Sequence, residues 1–462
     1  MTNRSTAINA NRYGVWITTG VVTTMWIASA ITYENYLYLG VILAPLLIYV
    51  SIRNPFFFPV GLYAFLVPFD QLLSLTDAFG GATFTKLLGI LSMLVLLVKG
   101  IFEKKLRKPG GAVVWWTLLI AYGALSIFWA IESQLVLGRI PTAVGLLLFY
   151  LILSSYKIRK NDLDTIKWCI LAGGFFAALA TIYNYQALTV ATRTTLQWGE
   201  RSAELNQLSF DLLIPIAICI EKVLAQDKKV MKASFGLVLG IIMFSVIITG
   251  SRGGMLGAGT IFIIYILSAQ RQNQKVTFAL ISLVIGITVL SILPDFFVDR
   301  WKEAADTGGT GRTSIWRVGL EALREYWISG AGLNNFTAAF KEFAHYTPFS
   351  KFWGRAAHNI YLAIFVELGI IGFILLVLGI GSHYRAIVSS FHVSESDKIM
   401  LKAALSAMVV SSFFLDTLWY KSLWLLWMMI LMHRNVQELE ADNFMHYIVN
   451  FQQNDIAMNQ KR

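Results

Sequence analysis

Charge is scarce in this sequence. Asp, Glu, Lys and Arg make up only 14% of the 462 residues, where a soluble domain carries about a quarter. Cysteine is nearly absent as well. The two present, Cys169 and Cys219, both fall inside apolar runs, so they say nothing about disulfides and offer no metal site. Acidic residues number 27 against 38 Lys and Arg, leaving a net charge of +11. That balance does not point to nucleic acid, because the basic residues sit in short loops between apolar runs rather than on one contiguous surface.

Hydrophobic residues, by contrast, reach 56% of the chain. Apolar stretches recur from end to end, each long enough to cross the roughly 30 Å of a bilayer core. We read a polytopic helical membrane protein, with fourteen candidate spans at 14–32, 36–52, 56–75, 84–101, 113–131, 140–156, 164–190, 206–224, 231–249, 253–269, 275–293, 358–381, 399–416 and 419–434. The 36–52 and 56–75 runs are also compatible with re-entrant segments, so the expected range is twelve to fourteen. The first run, Val15–Thr32, lacks a small-residue cleavage site and reads as a retained helix rather than a signal peptide.

Loop charges orient the chain. Even-numbered spans end in basic loops such as "KGIFEKKLRK" (99–108), "KIRK" (157–160) and "QRQNQK" (270–275), whereas "LTDAFGGAT", "AIESQ" and "LDTLW" on the other side are poor in Lys and Arg. Both termini are therefore expected in the cytoplasm. The expected organisation is an N-terminal group of about eleven spans over 1–293, a large outer loop over 294–357, about three further spans over 358–434, and a cytoplasmic tail over 435–462. Within the loop, "GGTGRTSIWRVGLEALREYW" (308–327) predicts a surface-lying amphipathic helix with Ile315, Leu320, Leu323 and Trp327 as its apolar stripe. The "SGAGLNNF" that follows (329–336) is turn chemistry. A long ordered loop is where function concentrates.

The candidate chemistry lies on that same side. His358 opens the span "HNIYLAIFVELGIIG", and Gly369 and Gly372 on one face of it predict close packing against a neighbouring helix. Alone, such a histidine is compatible with a simple helix cap. Arg252 lies in a glycine-flanked turn, "ITGSRGG", suited either to anion binding beside backbone N–H groups or to anchoring at the interface. Arg312 and Arg317 fall in the amphipathic segment, where each is equally compatible with a solvated surface charge. Together these residues fit one substrate class. Arginine forks hold phosphate oxygens and neutralise a departing diphosphate, while a histidine titrating near neutrality supplies a base for an attacking hydroxyl. That chemistry is transfer of a sugar from a lipid diphosphate.

Competing constellations are weaker. There is no HExxH, Walker A or G-x-S-x-G motif. Glu34 stands alone in the first outer loop, Asp295 and Asp299 read as structural, and "NDLD" (161–164) reads as a helix N-cap on the opposite side. Asp211, Glu367 and Lys86 fall within apolar runs and are expected to face a cavity or a partner rather than lipid. "GERSAELNQLSFD" (199–211) brings Arg201, Glu204, Asn206 and Gln207 to the start of the eighth span, lining a sugar site or pairing between helices. Glu367 is expected to brace a neighbouring helix.

These motifs resemble the signature of the O-antigen ligase and polymerase superfamily: His358-Asn359, nine residues, then Gly369-x-x-Gly372; a Gly-Arg pair at 311–312 with Trp316 four residues on and a G-x-G turn; and "TGSRGG" between two spans. The likeness is specific over roughly 247–380. "RNPFFFPVGLYAFLVPFD" and "TKLLGI" also resemble the third and fourth spans of such proteins. The resemblance implies a GT-C-like bundle at the outer face of the bacterial inner membrane. It implies transfer of a glycan from undecaprenyl diphosphate to an acceptor hydroxyl without metal, ATP or other cofactor, as in lipopolysaccharide or exopolysaccharide biosynthesis. His358 would be the base, with Arg252, Arg312 and, more weakly, Arg317 on the diphosphate. Arg201, Asn206, Arg355 and Asn359 would line the substrate. Phe373 stands where ligases often carry a small residue or Tyr, so ligation to lipid A–core and polymerisation of lipid-linked units both stay open. Two further readings remain, a polysaccharide transporter or flippase, which would show inverted repeats, and a protein O-glycosyltransferase.

Overall fold

The computed structural model describes residues 37–74, 83–186, 193–269, 302, 311–346, 354–390 and 393–436. The expected spans at 14–32 and 275–293, the acidic residues Glu34, Asp295 and Asp299, and the tail from 437 onward lie outside them. What is described is an all-α membrane bundle. A two-residue hairpin, Gln197–Trp198 paired antiparallel with Arg201–Ser202, is its one sheet among the described residues.

Among the described residues, five helices are long and apolar enough to cross a membrane: Phe84–Phe102, Ser133–Ser155, Lys160–Tyr185, Lys229–Ile248 and Ile360–Val388. Shorter apolar helices at Val60–Phe69, Ala112–Phe128 and Arg252–Ser268 pack among them. The burial pattern is that of a protein solvated by hydrocarbon. On Phe84–Phe102 the exposed side chains include Leu87, Ile90, Leu94, Val98 and Ile101, while the buried face carries Thr85, Gly89, Ser92 and Gly100 beside Leu88 and Leu96. Small and weakly polar residues let helices approach closely where lipid gives no hydrophobic reason to associate.

Two expected elements differ in form. The 56–75 run yields only Val60–Leu66 and a further 3-10 turn to Phe69. Pro59 precedes this helix and Pro68, which has no N–H to donate, loosens its end. The element is about 15 Å long at helical rise, half a bilayer core.

The second difference is in Ile360–Val388. It is not continuous, because Gly369 takes φ 62° and ψ −163° and breaks it. The "SGAGLNNF" turn is pressed into the break. Ala331 N donates to Val366 O and Gly332 N to Glu367 O, both at 2.8 Å, and Ile370 N donates to Trp327 O at 2.8 Å. A Cβ on Gly330 would overlap the Glu367 carbonyl, and one on Gly369 the Ile328 carbonyl. The glycines of this motif thus serve a backbone-to-backbone contact, not the smooth helix–helix face expected for Gly369. The same turn is stitched to the neighbouring junction by Leu333 N on Ser126 Oγ (2.9 Å) and Glu132 N on Asn335 Oδ1 (2.8 Å).

The amphipathic helix forms at Arg312–Tyr326, but its buried stripe is Ile315, Val318, Gly319 and Ala322. Leu320 and Trp327, assigned to the stripe from the sequence, are 60% and 53% exposed. Spacing of i, i+3, i+4 and i+7 selects the observed face, and Gly319 on it lets Leu362 of the Ile360–Val388 helix come close.

Candidate functional site

His358 sits one step outside a helix whose N-cap is Asn359. The Asn359 Oδ1 accepts from Tyr361 N at 3.0 Å and Leu362 N at 3.1 Å, satisfying two of the donors a helix start leaves open. His358 itself takes a left-handed backbone, φ 48°, which costs energy for a non-glycine residue. A carboxylate holds it there. Asp416, in the turn between the Glu395–Ser411 helix and the helix that begins at 421, accepts His358 N on Oδ2 (3.0 Å) and Asn359 N on Oδ1 (3.1 Å). Burial pushes the Asp416 carboxyl above the usual carboxylate range. The His358 and Asn359 amides, the His358 ring and Arg312 pull in the opposite direction. Among the described residues the His358 imidazole makes no side-chain hydrogen bond, and it lines a cavity of about 420 Å³.

The cavity runs between five parts of the chain. His358, Ala356 and Ala357 form one wall with Asp416, Leu418, Trp419 and Tyr420; Asn334, Phe336 and Thr337 come from the turn that fills the helix break; Ile364 and Glu367 lie further along the broken helix; Arg139 and Glu204 complete it. Glu367, expected to brace a neighbouring helix, holds the 329–336 turn instead. Its Oε2 accepts Asn334 N at 2.8 Å and its Oε1 accepts Phe336 N at 3.3 Å.

The arginines expected around His358 fall into two groups. Arg312 starts its helix close enough for its charge to act on Asp416, and Trp316 Nε1 on the next turn donates to Ala357 O at 3.0 Å, tying that helix to the strand of chain entering His358. Arg252 is the first residue of Arg252–Ser268, behind a turn in which Gly250 has φ 62° and Ser251 caps Gly254 N. The next residue, Gly253, packs on Phe414 and receives the Ser411 hydroxyl on its carbonyl at 2.6 Å. The backbone beside Arg252 thus packs on the 411–414 turn, and the charge of Arg312 reaches Asp416, but neither arginine is among the residues that line the cavity. Arg317 is exposed on the far side of its helix from the buried stripe, and Arg355 is exposed three residues before His358.

The remaining expected lining residues lie apart from the cavity wall. Arg201 donates to the carbonyls of Leu72 (3.2 Å) and Ser74 (2.5 Å), fastening the hairpin. Asn206 donates to Glu204 Oε1 at 2.6 Å, so of this segment Glu204 is the residue that reaches the cavity. Sequence reasoning passed over Asp416 and Arg139. Asp416 stood in "LDTLW", noticed only as a loop poor in Lys and Arg. Arg139 stood at the edge of an apolar run, where an arginine without a nearby acid is itself a signal.

Fold and cavity together define a multi-pass helical membrane protein with a histidine, a buried carboxylate and arginines at one end of its bundle. Residues 235–377 match the family model described as O-antigen ligase, so this part of the chain is similar to that family. The match takes in Arg252, Arg312, His358 and the glycines of the helix break; Arg139, Asp416 and Trp419 lie outside it. An uncharacterized protein of Haemophilus influenzae is 26% identical over 256 residues, 50% of this chain and 62% of that protein's length.

Proposed function

We propose that this protein transfers a glycan from an undecaprenyl-diphosphate carrier to an acceptor hydroxyl, at the outer face of the bacterial inner membrane. The reading rests on one observation: His358 lines the cavity, its imidazole without a side-chain hydrogen bond among the described residues, while its strained backbone is fixed by Asp416. In the reaction the imidazole takes the proton of the acceptor hydroxyl as its oxygen attacks the anomeric carbon. The bond from that carbon to the carrier phosphate breaks, and the diphosphate leaves with the electron pair, its charge met by Arg252 and Arg312. Neither Arg317 nor Arg355 is needed for this step. Both termini lie in the cytoplasm on this reading.

His358→Ala tests it. Transfer should be lost, with expression and membrane insertion unchanged, when lipopolysaccharide and exopolysaccharide are resolved on gels of a deletion strain carrying the variant. Full transfer by the variant overturns the mechanism. The deletion strain separates the two acceptors: lipid A–core without long chains, with polymer retained on the carrier, marks ligation, whereas single repeats still attached mark polymerisation.

A further inference from the structure

Arg139 has no place in the reaction above, yet it lies in the same cavity as His358. It belongs to Ser133–Ser155, one of the five membrane-length helices, and a guanidinium there is retained only against a strong counterpart. The counterpart is incomplete. Arg139 Nε and Nη2 both donate to Asn334 Oδ1, at 3.1 and 2.8 Å, and the guanidinium lies 5.5 Å from the Trp419 ring centroid. Among the described residues no carboxylate is in ion-pair contact with it. Glu367 is the carboxylate whose field reaches it, but both Glu367 oxygens are engaged by the Asn334 and Phe336 amides. The result is a half-buried cation, oriented by a neutral amide and an indole face, on the wall of a cavity.

We propose that Arg139, set by Asn334 and Trp419, is an oxyanion-binding subsite of the His358 cavity. Two sources carry that chemistry: the carboxylate of an acidic sugar in the glycan, or a phosphate of the lipid carrier. A planar guanidinium held on one edge presents its remaining donors as a fork that fits either. The identity of the ligand as a substrate rests on the transferase reading, but its binding does not.

The test therefore measures binding without turnover, on the full chain in nanodiscs, by saturation-transfer NMR with methyl glucuronide and its neutral counterpart methyl glucoside, and by ³¹P line broadening with inorganic pyrophosphate. Arg139→Gln should weaken one of the two anions at least tenfold, and Arg139→Lys should do so less, since the charge remains and the fork is lost. Asn334→Asp is the companion variant. It keeps an oxygen on the guanidinium but supplies the missing carboxylate internally, at a position (φ 62°) that Asp tolerates as Asn does. It should lose the anion without a fall in melting temperature. Loss confined to glucuronide identifies the sugar carboxylate, and loss of pyrophosphate identifies the carrier. The proposal is overturned if the wild type binds neither anion, if both variants bind them as the wild type does, or if glucoside binding falls in parallel. Activity of His358→Ala decides the transferase reading separately, so the two can fail independently.

Discussion

The bundle carries a carboxylate, a basic side chain and a histidine at each of its two ends, and the two sets are used differently. At the end away from His358, Lys167 Nζ lies 2.6 Å from Glu221 Oε2 and 2.7 Å from Asp397 Oδ1, and His433 Nε2 lies 3.5 Å from the same Asp397 oxygen. Lys167 is 2% exposed, and its charge is spent on side chains from two other helices. At the His358 end the buried carboxylate of Asp416 is spent on backbone amides instead. That leaves the imidazole and Arg139 on the cavity wall without an ion-pair partner among the described residues. Charges that neutralise one another brace helices, whereas charges satisfied by the backbone leave a cavity's side chains available to a ligand.

The sharpest way to break this contrast is to remove one member from each end. His358→Ala should lower transfer by about 10²–10⁴-fold, the span expected for a general base, with little change in melting temperature. Lys167→Met should do the reverse. It removes the cation that bridges Glu221 and Asp397 and leaves them only the longer contacts with Lys222 (3.8 Å) and His433 (3.5 Å), a loss of up to about 3–5 kcal/mol for a broken buried pair. Lower melting temperature and yield, with unchanged transfer per folded molecule, are the expected readings. A Lys167 variant that folds normally but transfers poorly would erase the distinction between the ends.

Asp416→Asn sharpens the contrast within the site. The amide can accept through one oxygen only, so either the His358 or the Asn359 N–H faces an NH2 group, a cost of about 1–3 kcal/mol for a buried unsatisfied donor. Because His358 is held at φ 48° by that contact, part of the cost should appear as mispositioning. A drop in transfer of about tenfold, with protein levels near normal, is the expected result. Equal loss of stability with no loss of transfer would make Asp416 a brace like Asp397.

How far the sequence could be read follows from the range of each contact. Apolar runs specify helices locally, so Phe84–Phe102, Lys229–Ile248 and Arg252–Ser268 fall within a few residues of the expected spans. The break at Gly369 was not legible, because the run through "VELGIIG" is unbroken in hydropathy and only the turn at 327–332 demands it. The site divides in the same way. His358, Arg252 and Arg312 carry local motifs. Asp416 acts on His358 from 58 residues away, and Arg139 on Asn334 from 195. No local pattern announces either pair, and a single sequence gives no other handle on them.

Asn359 is the residue on which the two roles are closest, since it adjoins His358 and was expected to line the substrate. Its side chain accepts from two amides at the helix start, while its own N–H goes to Asp416. Asn359→Ala removes the cap but not the backbone bond, so it should cost about 1 kcal/mol of stability and leave transfer nearly intact. Asn359→Asp and Asn359→Ser restore a capping oxygen and should recover most of the melting temperature, Ser more fully because a second carboxylate beside Asp416 would repel it. A substrate-binding role predicts a different pattern: transfer would fall in all three variants, and most in Asp, where a negative charge would meet the incoming diphosphate. Melting curves and transfer assays on the same three proteins separate capping from binding at the smallest effect the site offers.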